Sequence, residues 1–175
     1  MRTDLDSAAR AALDAAPRVR LANLPTPLDQ LHRLGARLGP QVFLKRDDLT
    51  GLALGGDKPR KLEYELAVAE AAGADVVVTC GSAQSNHARL TTAAARVLGM
   101  DAAVVLRRDD HACLQGNLLV DHLLGADVRL VDVGDHRDLE GPALRLCDEL
   151  RSAGRCPHYV PVSGTTAVSC LGYVR

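Results

Sequence analysis

From about residue 58 onward the chain alternates between two hydropathy patterns. Short continuous apolar runs, such as Val76-Val77-Val78 and Ala102-Ala103-Val104-Val105-Leu106, are separated by longer stretches in which apolar residues return every three or four positions. The first pattern is that of a buried strand and the second that of an amphipathic helix. It predicts helix over 58–72, strand over 75–80, helix over 84–98, strand over 101–106, helix over 113–124, strand over 127–131, helix over 138–153 and strand over 158–162. Strands that are apolar on both faces and joined by single helices belong to parallel sheets covered on both sides. The predicted fold is therefore α/β, a three-layer parallel sheet with helices on both faces.

The earlier part is less regular. Residues 5–16 form a short Ala-rich helical pattern ended by Pro17, and residues 24–28, with two prolines, read as extended loop. A second helix is predicted over 29–38, a strand over 41–45 and a loop over 51–57. Gly-Ala-Asp-Val occurs at 73–76 and again at 125–128, each time between a helix end and a strand start. This is helix-terminating chemistry at equivalent junctions and not a sequence repeat.

A chain of 175 residues suits one domain, or one and a fraction. Aromatic residues make up only 2%, which disfavours single-stranded nucleic-acid binding by base stacking. A net charge of −1 gives no general attraction to nucleic acid or to an anionic membrane. A small molecule is the expected partner, with no nucleic acid and no membrane. No apolar run reaches the length of a membrane span and residues 1–6 lack a hydrophobic signal core, so a cytoplasmic location is expected. The five cysteines are odd in number and scattered, which suits free thiols in a reducing compartment.

Two stretches carry candidate chemistry: Gly55-Gly56-Asp57-Lys58-Pro59-Arg60-Lys61-Leu62-Glu63 and Cys80-Gly81-Ser82-Ala83-Gln84-Ser85-Asn86-His87. The first sets a lysine on a glycine hinge at a helix start. The second sets hydroxyl and amide side chains beyond the carboxyl end of a parallel strand, where open sheets bind their ligands. A lysine amine in a desolvated polar site can form a Schiff base with an aldehyde cofactor, so the pair is a candidate pyridoxal phosphate site; a solvated lysine and two helix caps are the alternative. To act near neutral pH the amine needs a lowered pKa, through burial or a nearby cation, and Arg60 and Lys61 are at hand. Asp57 would act in the opposite sense, or serve as an ordinary N-cap.

Other signals are weaker. Cys147, Cys156 and His158, or His111 with Cys113, lack the paired spacing of a metal site, so none is expected. Gly81-Ser82-Ala83 lacks the second glycine of a nucleophile elbow. Residues 107–110 read as a solvated loop with internal charge pairing.

Lys45-Arg46-Asp47-Asp48-Leu49-Thr50-Gly51, then residues 55–64, then Gln84-Ser85-Asn86-His87-Ala88-Arg89, resemble the signature blocks of the D-cysteine desulfhydrase and 1-aminocyclopropane-1-carboxylate deaminase family, which are fold type II, tryptophan-synthase-β-like pyridoxal phosphate enzymes. The resemblance runs from Pro25 to Val174 in the family's order. It implies pyridoxal phosphate as cofactor, a small amino-acid substrate and a homodimer in the full-length family. It assigns Lys58 as the Schiff-base lysine, Ser85 as nucleophile or substrate-carboxylate ligand, and Asn86 as ligand to the cofactor's phenolic oxygen. Gln84 and His87 are placed at the substrate, and Thr165 in a loop that closes on the site. His87 resembles the desulfhydrase branch; the deaminase branch has glutamine there. Two departures stand out. Asp57 replaces the family's asparagine, and Ser163 and Ser169 replace family glycines, which would strain Ser163 if its φ is positive.

Members of that family are roughly twice as long, so the resemblance covers an N-terminal half and implies that the phosphate loop, the pyridine-nitrogen partner and a catalytic tyrosine lie outside this stretch. It divides the chain into 1–53, part of a larger domain; 54–160, a smaller α/β domain; and 161–175, the start of the return to the larger one. The implied activity is a lyase or deaminase, most like conversion of D-cysteine to pyruvate, sulfide and ammonia. The alternative is a non-catalytic truncated α/β remnant or one half of a split enzyme.

Overall fold

The computed structural model describes residues 7–108 and 113–174. The first six residues, His111 and the Asp109–Asp110 part of the predicted charged loop lie outside the described residues. Of the neighbouring arginines, Arg108 pairs with Asp132, and Arg107 donates to the Gly134 carbonyl.

The core is a parallel sheet of four strands, β3 (Val76–Ser82), β4 (Asp101–Arg107), β5 (Asp127–Val131) and β6 (Pro157–Val160), in the order β5-β4-β3-β6. The helices are α3 (Lys58–Ala71), α4 (Asn86–Val97), α5 (Gly116–Leu123) and α6 (Glu140–Ser152). Successive side chains of a strand point to opposite faces, and the two cores follow that period. Val77, Ala102 and Val160 pack with Leu62, Leu66, Leu90 and Ala94 of α3 and α4. Val76, Val78, Cys80, Ala103 and Val105 pack with Leu139, Ala143, Leu146 and Cys147 at and before α6. The three-layer α/β expectation is met, and helix ends at Gly73 and Gly125 both take left-handed conformations, as the shared junction sequence predicts.

Several bounds differ from expectation for local reasons. The last strand ends at Val160 and not at residue 162, because Pro161 has no N–H to donate to the ladder; Val162–Gly164 turns instead into a 3₁₀ segment. The predicted helix over 29–38 is split. Leu28–Gln30 forms β1, paired antiparallel with β2 (Phe43–Lys45), and only His32–Leu38 is helical, as α2. Cross-strand pairing and the Arg46–Asp29 ion pair override the local helical pattern there. Before these, α1 (Ser7–Ala15) buries no residue, and a short α7 (Leu171–Val174) ends the described chain against α3.

Glu63 fastens the N-terminal segment to α3. Its side chain is buried, accepts from Arg18 Nε at 2.7 Å, and accepts from the backbone N–H groups of Leu21 and Ala22 at 2.9 and 3.0 Å.

Candidate functional site

The strand order fixes where a site can form. β3 passes the chain to β4 on one side, while β6 lies on its other side, so the connections diverge at the boundary between β3 and β6. Ligands of open parallel sheets bind at such a divergence, beyond the carboxyl ends of the strands. The loop that carries Gln84 and Ser85 leaves β3 there, and the turn that carries Ser163 to Thr165 leaves β6 there. α3 precedes β3 through a tight turn, which brings its first residue, Lys58, back to the same end of the sheet. Lys61 Nζ donates to the Ser163 carbonyl at 3.2 Å and to Thr165 Oγ1 at 2.7 Å, tying the first turn of α3 to the turn after β6.

Gly55 makes the approach to Lys58. Its φ is +73°, and a Cβ at this position would lie 1.9 Å from the Asp48 carbonyl oxygen, so no other residue fits. Lys58 opens α3 with a largely covered side chain, 20% exposed, and its Nζ donates to both oxygens of Asp57, at 2.9 and 2.7 Å. Asp57 holds the N-cap position but makes no side-chain cap bond, so the N-cap alternative is corrected: its carboxylate is committed to Lys58 and to Tyr173, whose hydroxyl donates at 2.7 Å. Burial raises the Asp57 pKa, but the bonds from Lys58 and Tyr173 outweigh it and hold the carboxyl below its ordinary value. The Tyr173 hydroxyl is pushed up by burial and by that carboxylate. The expectation that Arg60 and Lys61 supply the cationic neighbourhood of Lys58 is also corrected. Arg60 is paired with Asp47 at 2.7 Å, Lys61 is taken up by the β6 turn, and the nearest charge to Lys58 is an anion.

Ser85 caps α4, its Oγ accepting from the Ala88 N–H at 3.1 Å. Asn86 Oδ1 accepts from Asn117 Nδ2 at 3.0 Å and from Arg89 Nη2 at 3.3 Å. Gln84 is exposed and spent on the start of α5, donating to the Gln115 carbonyl at 3.0 Å and accepting from the Asn117 N–H at 2.9 Å.

His87 is buried, 4% exposed. Thr79 Oγ1 donates to the Val160 carbonyl at 2.8 Å, so its lone pair accepts from His87 Nε2 at 2.9 Å, and His87 Nδ1 faces Thr91 Oγ1 at 3.4 Å. Burial, with the nearby charges of Lys58 and Lys61, pulls its pKa down to about 4, so the ring is neutral. Both ring nitrogens are engaged inside the protein. The buried ring joins β3, β6 and α4.

Ser163 has φ +64°, the strained conformation anticipated for a serine at a family glycine. Tyr173, Asn117, Thr79 and Arg89 are the partners that sequence reading left without roles. Asp57 and Tyr173 are 116 positions apart and share no local pattern, whereas Arg89 stands three residues after Asn86 in α4, a helical spacing that places the two on neighbouring positions. A separate cavity of about 500 Å³ lies behind α3, lined by Arg18, Lys45, Asp47, Arg60 and Tyr173 among others; Lys58, Ser85 and Asn86 do not line it.

A Pyrococcus horikoshii protein provisionally named a 1-aminocyclopropane-1-carboxylate deaminase is 45% identical over 159 residues, covering 91% of this chain and 48% of that protein. A D-cysteine desulfhydrase of Klebsiella pneumoniae is 41% identical over 168 residues, covering 91% and 49%. The crystal structure of an ACC deaminase homologue superposes with a TM-score of 0.91 at 43% identity, over 98% of this chain and 52% of that one. The chain thus spans about half the length of the relatives it matches. Residues 19–175 match the family described as pyridoxal-phosphate dependent enzyme, and the chain belongs to that family.

Proposed function

We propose that this chain is the lysine-bearing half of a pyridoxal phosphate-dependent lyase or deaminase acting on a small amino acid, most like D-cysteine desulfhydrase. The observation that carries the reading is the convergence of an amine at the start of α3 with a hydroxyl and an amide at the start of α4, beside the divergence of β3 and β6. The donor set suits the cofactor. Lys58 supplies a covered primary amine. Because Asn86 Oδ1 accepts from Asn117 and Arg89, its Nδ2 is left to donate to a phenolic oxygen.

When bound, pyridoxal phosphate supplies an aldehyde for the amine and a ring that takes up the electron pair freed at the substrate's α-carbon. Lys58 Nζ must first leave Asp57, and it can then carry the α-proton. Ser85 Oγ spends its lone pair on the Ala88 N–H, so its O–H remains to donate to a substrate carboxylate, next to the amides that open α4. Gln84, His87 and Thr165 hold the surrounding loops. In this reading residues 54–160 are the smaller domain, with 1–53 and 161–175 belonging to a larger one. The five free cysteines suit a cytoplasmic protein, and the resemblance favours a homodimer.

The test is direct. Chain incubated with pyridoxal phosphate and then borohydride should carry the reduced label on Lys58 by peptide mass spectrometry, and Lys58→Ala should lose it. Equal labelling of the Lys58→Ala variant removes the assignment.

A further inference from the structure

We infer that Arg89 is the positioning residue that locks the lysine loop to the Asn86 loop, in an interface that also buries Asp121 of α5. The inference rests on the proposed cofactor site. A single guanidinium nitrogen, Arg89 Nη2, lies 3.3 Å from the Gly55 carbonyl and 3.3 Å from Asn86 Oδ1. Gly55 is the one residue that admits the turn before Lys58, and Asn86 is the proposed ligand to the cofactor's ring oxygen. No other described side chain bonds both loops. The neighbouring α4 residue, Leu90, lies against Gly56, so the glycine hinge rests on the same turn of helix.

The placement of Arg89 is unusual for an arginine. It is 4% exposed, and among the described residues it has no carboxylate within ion-pair distance and its Nε and Nη1 have no hydrogen-bond partner. Burial lowers its pKa, and the charge that opposes this is Asp121 on α5. Asp121 is itself 1% exposed, with neither oxygen bonded, and Thr92 lies near enough to favour its carboxylate without closing a direct hydrogen bond. Buried charges without close partners are retained at a large desolvation penalty, and an apolar pair would fill the same interface at none. A guanidinium suits this place because one of its planar nitrogens carries two N–H groups, enough to reach a backbone carbonyl and an amide oxygen at once. Asn117 completes the connection: its Nδ2 donates to both Asn86 Oδ1 and the Gln84 carbonyl, so α5 holds the Asn86 loop from the other side.

The experiment compares wild type, Arg89→Lys and the double variant Arg89→Gln/Asp121→Asn, which removes both buried charges together and so leaves neither unpaired. Two readouts are taken on the full chain: amide hydrogen exchange without cofactor, and titration with pyridoxal phosphate followed by borohydride labelling of Lys58. In the double variant the amides of β3 and β4 should keep wild-type protection, while those of residues 55–58 and 86–88 should exchange about tenfold faster or more. Labelling of Lys58 should require about tenfold more pyridoxal phosphate, with Arg89→Lys in between. Unchanged exchange at both loops in a double variant with native sheet protection overturns the role of Arg89. Failure of wild type itself to label at Lys58 overturns the cofactor reading instead, while the exchange data still decide the clamp.

Discussion

Replacing His87 by glutamine separates what the ring bonds from what it titrates. A glutamine amide can still donate to Thr79 Oγ1, but it cannot bind a proton. In the folded chain His87 holds its pKa near 4, pulled down from 6.5 first by burial and then by Lys58 and Lys61. The unfolded chain therefore binds a proton at this residue between about pH 6.5 and pH 4 that the folded chain refuses, and stability falls as pH drops through that window. Worked through the linkage relation, the loss between pH 7 and about pH 4.5 is on the order of 2 kcal/mol. Asp121 acts in the opposite sense over nearly the same range. Its pKa is raised from 3.8 to about 6, chiefly by burial, so the folded chain keeps a proton that the unfolded chain has lost, and acidification favours the fold by about 2 kcal/mol. The two contributions nearly cancel in wild type. Only the single variants expose them.

Urea unfolding followed by far-UV circular dichroism at the two pH values gives the comparison. His87→Gln should be less stable than wild type at pH 7, by about 1 kcal/mol for the lost packing and bonding. At about pH 4.5 the gap should close or reverse, a relative shift on the order of 2 kcal/mol. Asp121→Asn should show the mirror image, losing about 2 kcal/mol relative to wild type on acidification. If the His87→Gln gap is the same at both pH values to within about 0.5 kcal/mol, the ring is not held neutral by burial and the account of the β3–β6–α4 junction is wrong.

Two further perturbations probe the site's edges. Asp57→Asn removes the anion that pairs with Lys58, a half-exposed contact worth about 0.2–1 kcal/mol, so borohydride labelling of Lys58 should need about 1.4- to fivefold less pyridoxal phosphate; an unchanged or higher requirement would show that the carboxylate does not restrain the amine. Ser163→Gly relieves a left-handed serine, and the relief should exceed the added chain entropy by about 0.5 kcal/mol in urea unfolding, whereas Ser163→Val should destabilise; equal stability of the glycine and valine variants would contradict the strain assigned to this turn.

The parallel sheet was legible because the interiors of the two central strands, β3 and β4, are buried apolar runs on both faces, while the stretches between the strands return apolar residues at helical spacing. The strand over 127–131 coincides with β5 as observed. The region before residue 58 was not legible to the same degree. Leu28-Asp29-Gln30 is too short for a strand period to register, and its structure depends on pairing with residues 43–45. Within the site, the placement of Lys58, Ser85 and Asn86 at helix starts followed from local signals: a glycine hinge, a proline in the first turn, and a serine before an apolar helix. What each of those side chains bonds to did not follow. The partners of Asp57, Asn86 and His87 stand on α7, α5 and β3, and a chain read in order does not show which elements will meet.

Those distant partners explain why the loops hold their positions. The β3 loop is held by Asn117 from α5, the α3 start by Tyr173 from α7 and by Lys61 to the β6 turn, and the two loops are held to each other by Arg89. Each tie uses a hydrogen bond to a backbone carbonyl or to a carboxylate or amide oxygen, groups whose geometry tolerates little displacement. Apolar packing beneath the sheet could fix the strands but not the angle at which a loop leaves them, since it is non-directional. The directional bonds concentrate where the strands end, and the hydrophobic layers lie below. An amine can thus be presented from a helix that comes before the sheet, and a hydroxyl and an amide from one that follows its first strand. Lys58 is paired with Asp57 in that arrangement, so a ligand that takes the amine, as in the function proposed above, has to displace the carboxylate first.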